Sequence, residues 1–144
     1  MVYDINDHEG YIDVAELKFG NPGKIKIYKI FLVEDDGDLT LLYNRILGSF
    51  GYKVIATAEN GKEAVEKFIE FPEKPDIIIM DYKMPIKNGI EAGKEILTHD
   101  KTAKILIISA NPDIKKIANA NSMFFLDKSF SIKELLKKLQ EILI

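Results

Sequence analysis

The feature that most constrains the fold is an unbroken apolar run, Ile77-Ile78-Ile79-Met80, followed at once by the carboxylate of Asp81. A run rich in β-branched residues is typical of a strand buried on both faces, as in a parallel sheet. Open α/β sheets bind ligands at the carboxyl ends of their strands, so Asp81 is predicted to lie at such a site. The alternative is an Asp that only caps a helix or faces solvent, and the other strand ends must decide between the two.

Further strand-like runs alternate with helical patterns along the rest of the chain. Strands are predicted at residues 30–33, 52–57, 105–108 and 124–126. Helices follow these strands, with Asp38, Asn60 and Ser131 as predicted caps. The turn Asn88-Gly89 precedes a predicted helix over residues 90–97, and Pro112 is predicted to lie in the first turn of another. Strict alternation predicts an α/β protein of the flavodoxin-like, doubly wound (βα)5 type. Its central parallel five-stranded sheet is expected to have the strand order 2-1-3-4-5.

The chain divides into a short N-terminal extension, residues 1–23, and a main domain, residues 24–144. Turn-forming residues bracket residues 11–19 of the extension, and the apolar residues there fit neither the helical nor the strand period. Those residues, Ile12, Val14, Leu17 and Phe19, are too apolar for a disordered tail. The extension is therefore predicted to pack on the main domain or on a second copy of the chain.

Composition excludes several classes of function. The formal net charge of −3 provides no broad basic surface, so direct binding to nucleic acid is not expected. The absence of Cys excludes disulfides and thiolate metal sites. No apolar run is long enough to span a membrane and the N-terminus is unlike a signal peptide, so a cytoplasmic protein without membrane contact is expected.

Chemically useful side chains follow four of the predicted strands. They are Glu34 with Asp35, then Asp81, Ser109 and Lys128. Two carboxylates about 4 Å apart repel by about 4 kcal/mol at an effective dielectric constant of about 20, and a hard cation such as Mg²⁺ removes that repulsion. Lys128 and Ser109 could hold the oxygens of a phosphoryl group arriving at Asp81, the predicted nucleophile. A purely structural ion-pair cluster is the alternative, and the occurrence of suitable groups at four separate strand ends disfavours it.

The ordered set of these motifs resembles the receiver domain of two-component response regulators, in its single-domain, chemotaxis-type form. The resemblance covers about residues 26–144. The motifs that carry it are Val33-Glu34-Asp35-Asp36, Asp81 with Met84-Pro85 and Asn88-Gly89, Ser109-Ala110, and Lys128 with Phe130. Each motif is weak alone, whereas the complete set in this order is highly specific.

The resemblance implies a role for each residue of the predicted site. It implies that Mg²⁺ is held by Glu34, Asp35, Asp81 and the backbone carbonyl of Lys83. It implies that Asp81 accepts a phosphoryl group from a sensor histidine kinase or a phosphotransfer protein, with Ser109 and Lys128 contacting that group.

The resemblance also implies a route for the signal. Ser109 and Phe125 would act as the switch residues, and the surface altered would comprise the fourth helix, the last strand and the last helix. That surface is expected to bind an output partner or a second copy of the chain. The protein is expected to catalyse only its own phosphorylation and dephosphorylation. Because nothing follows Ile144, output is expected to pass through a partner unless the chain is part of a longer one.

Among the positions that depart from the family pattern, which include Asn88-Gly89 in place of the usual Asp-Gly, two concern the backbone conformation. The family usually has Lys-Pro with a cis peptide bond, whereas this chain has Lys128-Ser129, so the bond could be cis or trans. A glycine usual before the last strand is replaced by Asn121, which tolerates the left-handed backbone conformation expected there.

Two other functions remain as alternatives to a phosphorylatable switch. The first is an interaction module that no longer uses phosphate, although the presence of Asp81 and Lys128 disfavours it. The second is a phosphohydrolase of the haloacid-dehalogenase kind, which also uses an Asp nucleophile at a strand end. That class has Asp-x-Asp, whereas Lys83 stands at the second acidic position here, so this alternative ranks lowest.

Overall fold

The structure, a computed structural model, describes the backbone of residues 2–6 and 10–13 and all of residues 26–144. Its strands are β1 (Val2–Asn6), β2 (Gly10–Asp13), β3 (Lys29–Val33), β4 (Lys53–Ala58), β5 (Ile77–Asp81), β6 (Ile105–Ser109) and β7 (Phe124–Asp127). Its helices are α1 (Gly37–Ser49), α2 (Gly61–Glu70), α3 (Gly89–His99), α4 (Ile114–Ala120) and α5 (Ile132–Leu143).

Strands β3 to β7 form one parallel sheet in the order β4-β3-β5-β6-β7. Counted within this sheet, the order is 2-1-3-4-5, so the predicted flavodoxin-like topology is confirmed. Every residue of β5 and β6 is buried, as the continuous apolar runs predict. Parallel pairing brings the carboxyl ends of all five strands to the same edge of the sheet.

Two apolar layers cover the faces of the sheet. Alternate side chains of β5 enter opposite layers: Ile78 and Met80 pack towards α2, α3 and α4, whereas Ile77 and Ile79 pack towards α1 and α5. This alternation follows from the period of two in a strand. The five helices are therefore held against a sheet whose site-bearing edge remains free.

Polar side chains cap most of the helices. Asn60 accepts a hydrogen bond from the amide of Glu63, and Asn88 and Ser131 each form a complete capping box. The prediction for α1 is wrong by two residues, because Asp36 rather than Asp38 accepts hydrogen bonds from the first free amides. Helix α4 also begins later than predicted, at Ile114, after a turn that contains Pro112.

Both departures from the family pattern have a defined backbone conformation. Asn121 has a φ of −108°, and the left-handed residue is its neighbour Ser122, with a φ of 60°. The left-handed turn before β7 therefore exists, one residue later than predicted. No cis peptide bond occurs in the described parts of the chain, so the bond between Lys128 and Ser129 is trans.

The N-terminal residues form a separate antiparallel hairpin of β1 and β2. Its first strand, β1, contacts α5. Ile12 belongs to β2, whereas Val14, Leu17 and Phe19 lie outside the described residues. Within the described residues, no helix has the length and apolar character needed to cross a membrane.

Candidate functional site

The predicted site residues meet at the carboxyl edge of the parallel sheet. Glu34 and Asp35 follow β3, Asp81 ends β5, Ser109 ends β6 and Lys128 follows β7. Backbone hydrogen bonds continue the sheet beyond these ends: the amide of Lys128 donates to the carbonyl oxygen of Ser109 over 3.0 Å. The side chains are thus positioned by rigid strands rather than by a long loop.

Three carboxylates form a compact acidic group. One oxygen each from Glu34, Asp35 and Asp81 lies within 4.8 Å of the others. Glu34 and Asp81 are 3% and 4% exposed, respectively, whereas Asp35 faces solvent. Asp81 Oδ1 is buried and accepts no hydrogen bond from any described residue. An orphaned buried oxygen beside two further carboxylates is a donor set that fits Mg²⁺.

Lys128 supplies the positive charge of this group. Its Nζ lies 3.2 Å from Asp81 Oδ2 and 4.0 Å from Glu34 Oε1. One lysine is therefore shared between two buried acids. It neutralises part of their charge and leaves an excess of negative charge that a cation would balance.

The electrostatics of the site are those of buried acids held close together. Burial raises the pKa of Glu34 to about 7, the negative charge of Asp81 adds to that rise, and the hydrogen bond from the Asp36 amide opposes it. Burial also raises the pKa of Asp81, against the hydrogen bond and charge of Lys128. Burial lowers the pKa of Lys128, but its hydrogen bond with Asp81 and the surrounding acids outweigh that effect, and its pKa is raised overall.

A cavity of about 310 Å³ opens beside Asp81. It is lined by Asp81, Tyr82, Lys83, Ser109, Ala110, Asn111 and Lys128. Ser109 is 5% exposed, and its Oγ accepts a hydrogen bond from the Asn111 amide over 3.0 Å, which leaves its hydroxyl hydrogen available to a ligand. A phosphoryl group in this cavity would meet a carboxylate, a hydroxyl and an ammonium group.

Lys83 and Phe125, the other residues predicted from the sequence, differ in how they lie relative to this cavity. Lys83 lines the cavity directly and is exposed. Phe125 pairs with Ile107 in the sheet, is partly buried, and packs against the apolar layer on the α2, α3 and α4 side. The structure therefore brings Glu34, Asp35, Asp81, Ser109 and Lys128 into one group, with Phe125 behind them rather than in the cavity lining.

Sequence reasoning missed Asn111, Tyr82 and Tyr43, which the structure brings to the site or its surroundings. Asn111 lines the cavity, and its backbone N–H orients Ser109 by donating a hydrogen bond to the hydroxyl oxygen. Its position two residues after the end of β6 was the available signal. The helical spacing of Tyr43 in the sequence predicts only that it belongs to the apolar stripe of α1. Burial raises the pKa of its phenol and the charge of Glu34 raises it further, so the ring lies within the field of the site.

The sequence matches the family described as Response regulator receiver domain over residues 30–140. The chain belongs to this family. The match covers the central sheet except Lys29, and most of α5, and it confirms the resemblance drawn from the strand-end motifs. The protein is accordingly a receiver domain of two-component signalling systems, a class of signalling switches, and receiver domains bind Mg²⁺ at their acidic pocket.

Curated relatives and solved structures agree with this assignment. Chemotaxis protein CheY of Thermotoga maritima is 44% identical over 82 residues, which cover 57% of this chain and 67% of that protein. CheY of Treponema pallidum is 33% identical over 119 residues, which cover 81% of this chain and 83% of that protein.

Two solved structures with a magnesium ion have the same fold as this receiver domain. The complex of CheX and CheY with BeF3 and Mg²⁺ from Borrelia burgdorferi matches with a TM-score of 0.77 and 26% identity, over 81% of this chain and 90% of that chain. The receiver domain of the sensor histidine kinase PA1611 from Pseudomonas aeruginosa matches with a TM-score of 0.73 and 27% identity, over 82% of this chain and 98% of that chain. That structure has magnesium coordinated in its active-site cleft.

Proposed function

We propose that this receiver domain is a switch that is phosphorylated on Asp81 by a sensor histidine kinase or a phosphotransfer protein. One observation carries the proposal: Asp81 is a buried acid with one oxygen held by Lys128 and the other without a partner, at the wall of a cavity that admits a phosphoryl group. A carboxylate held in this way is poised to act as a nucleophile rather than as a structural ion pair.

In the proposed reaction, Asp81 displaces the imidazole of a phosphohistidine. A carboxylate oxygen forms the new bond to phosphorus, the bond between phosphorus and nitrogen breaks, and the leaving imidazole takes up a proton. Lys128 and the hydroxyl of Ser109 hold the oxygens of the transferred group. Glu34, Asp35, Asp81 and the carbonyl of Lys83 would hold Mg²⁺, which would supply positive charge to balance the acids and the incoming phosphoryl group.

The proposed output surface consists of α4, β7 and α5. Three large apolar side chains on it are exposed: Ile117 by 44%, Phe124 by 39% and Ile132 by 43%. A phosphoryl group would draw the Ser109 hydroxyl towards its oxygens, and Phe125 would turn into the space behind it. We infer that this surface then binds an output partner, such as a protein of the CheX type, or a second copy of the chain. The proposed compartment is the cytoplasm.

Labelling with acetyl phosphate tests the proposal. Intact-mass analysis is expected to show one added phosphoryl group when Mg²⁺ is present and none for Asp81→Asn. Excess EDTA should abolish the labelling, because the acids then repel the incoming anion. Asp113→Asn is the matched control, since Asp113 is exposed and its side chain makes no capping hydrogen bond.

Three results would contradict the proposal. Labelling of Asp81→Asn would place the phosphoryl group elsewhere, and equal labelling in EDTA would remove the metal role of Glu34 and Asp35. Partner binding with the same affinity before and after phosphorylation would favour the phosphate-independent interaction module. Steady turnover of phosphate esters would favour the haloacid-dehalogenase-like hydrolase.

A further inference from the structure

The two sides of the proposed metal site lie on different loops. The acid loop, residues 34–36, carries Glu34 and Asp35, and the β5–α3 loop, residues 82–88, carries Lys83, two residues after Asp81. A third segment, residues 58–61, runs between them from the end of β4 to the start of α2 and is called the bridging segment below. The bridging segment contains none of the proposed metal ligands.

The bridging segment forms a backbone hydrogen bond to each of these loops. The amide of Glu34 donates to the carbonyl oxygen of Ala58 over 3.0 Å. At the other end of the segment, the amide of Gly61 donates to the carbonyl oxygen of Lys87 over 3.2 Å. Two main-chain bonds therefore link the acid loop to the β5–α3 loop through four residues, and they can set the separation of the two ligand-bearing loops.

Close approach at Gly61 is what makes the second bond possible. A Cβ added there would lie 2.3 Å from the carbonyl oxygen of Lys87 and 2.9 Å from its carbonyl carbon. These are backbone atoms, so they cannot move away as the end of a flexible side chain can. Gly61 is buried and does not have a positive φ, and the requirement for glycine is therefore one of space.

The β5–α3 loop is tightly constrained and would transmit a displacement. At its base, the amide of Gly89 donates to the carbonyl oxygen of Tyr82 over 2.8 Å, and a Cβ on Gly89 would lie 2.4 Å from the carbonyl oxygen of Asp81. Near its far end, Lys87 donates to the carbonyl oxygen of Pro85 across Ile86, whose φ is 71°. A turn of this kind is strained for a β-branched residue and persists only when its surroundings hold it in place.

We propose that Gly61 is a positioning residue for Mg²⁺, acting through the bridging segment on both loops that carry the metal ligands. This inference rests on the proposed function, because it assumes that the acidic group is the metal site. Substitution Gly61→Ala must push the carbonyl of Lys87 away, and with it the loop that carries Lys83. Loss of outer partners of metal ligands typically lowers metal affinity about 10-fold or more, and a weakening of about 10-fold is expected here.

The test compares Mg²⁺ affinity, measured calorimetrically, in variants that differ only at glycines. Gly61→Ala should fold, as judged by amide chemical shifts of the central sheet, and bind Mg²⁺ about 10-fold more weakly than the wild type. Gly48→Ala, with open space around its Cβ, should bind as the wild type does. Gly93→Ala is the control for general destabilisation, because its Cβ would press on the flexible side chain of Met123, away from both loops.

Two results overturn the inference in a folded variant. One is Gly61→Ala binding Mg²⁺ with the affinity of the wild type. The other is an equal loss of Mg²⁺ affinity in Gly93→Ala, because the weaker binding of Gly61→Ala would then be explained by general destabilisation. If Gly61→Ala does not fold, amide exchange in the wild type decides: Mg²⁺ must slow exchange at both Glu34 and Gly61, and unchanged exchange at either overturns the inference.

Failure of the proposed function looks different. The wild type itself would then not bind Mg²⁺, and Asp35→Ala would behave as the wild type does. The mechanical link on which the inference depends is then tested separately in the metal-free protein, where Gly61→Ala should shift the amide resonances of both loops. Shifts confined to the β5–α3 loop would overturn it, because the bridging segment would not connect the two sides.

Discussion

Lys128 and Asp81 stand 47 positions apart in the chain, and a hydrogen-bonded ion pair of 3.2 Å joins them at the carboxyl edge of the sheet. Strand β6 lies between the strands that carry them, so the lysine reaches across the end of β6, where Ser109 lies. The pair therefore spans the cavity that we assign to the phosphoryl group, and its charge balance governs several measurable properties.

Removal of the lysine should make stability depend more steeply on pH. The folded-state pKa of Asp81 is already raised, so this carboxyl binds its proton more tightly in the folded protein than in the unfolded chain, and its contribution to stability falls as pH rises. Lys128→Met raises that pKa further. Metal-free Lys128→Met is expected to lose about 2 kcal/mol of unfolding free energy relative to the wild type at about pH 8, and much less at about pH 5. Urea unfolding at the two pH values measures this difference in unfolding free energy. Lys138→Met, which removes the lysine that pairs with Glu141 on α5, is the control. Parallel pH curves for Lys128→Met and the wild type would contradict it.

Mg²⁺ should stabilise the protein more at high pH than at low pH. Burial holds the pKa of Glu34 at about 7, above its ordinary value of 4.5. Without metal, the stability that protonated Glu34 contributes is therefore lost as pH rises from 4.5 to about 7. Mg²⁺ replaces the bound proton and restores that stability above about pH 7. Thermal unfolding with and without Mg²⁺ measures the difference. Glu34→Gln should flatten the pH dependence, whereas Glu66→Gln, on the exposed face of α2, should not. An equal gain from Mg²⁺ across this range would show that Glu34 is not part of the metal site.

Lys83 should lengthen the life of the phosphorylated state. Its side chain is exposed at the cavity wall, where a flexible cation can shield an acyl phosphate from water. Lys83→Ala is expected to shorten the lifetime of the phosphorylated protein several-fold. Such a change corresponds to a small decrease in the activation barrier for hydrolysis of the acyl phosphate. Loss of the phosphoryl mass over time measures this, with Lys94→Ala on the exposed face of α3 as the control. An unchanged decay rate would make Lys83 an ordinary surface lysine.

Ser109 should couple phosphorylation to the output surface. Its hydroxyl hydrogen is free to bond a phosphoryl oxygen, and Phe125 packs on the neighbouring strand. Ser109→Ala is therefore expected to weaken the response of α4, β7 and α5 more than it weakens phosphate uptake. NMR shifts of these elements with and without beryllofluoride measure the response, with Ser49→Ala on α1 as the control. A full response in Ser109→Ala, or an unperturbed surface in fully modified wild type, would rule out this switch.

Deletion of residues 1–22 should lower the thermal stability or change the oligomeric state. The hairpin strand β1 contacts α5, and an isolated two-stranded hairpin is marginal in water unless it packs on something else. Differential scanning calorimetry and sedimentation measure the two outcomes. If neither property changes, residues 1–22 do not pack on the domain or on a second copy.

Much of this protein was predictable because the information is local. Four-residue apolar runs such as those ending at Asp81 and Ser109 exclude solvent on both faces and so predict central parallel strands, which the structure confirms. Strict alternation with helices then leaves few topologies, and parallel pairing forces the strand-end residues to a common edge. The membership of the acidic group follows from that reasoning, whereas the family was indicated by the resemblance of the ordered strand-end motifs.

Other features depend on contacts between distant segments, and no local pattern encodes them. Both Asp36 and Asp38 are good capping residues, and the path of the chain out of β3 selects Asp36. The left-handed turn falls on Ser122 rather than Asn121 for the same reason, since it must join α4 to β7. The raised pKa of Glu34 arises only when the fold buries it beside Asp81, and the link from Ala58 through Gly61 to Lys87 arises only when three segments meet. Burial and main-chain hydrogen bonds are properties of the assembled fold, so the sequence determined which groups reach the site, and the tertiary structure alone decided how they are held there.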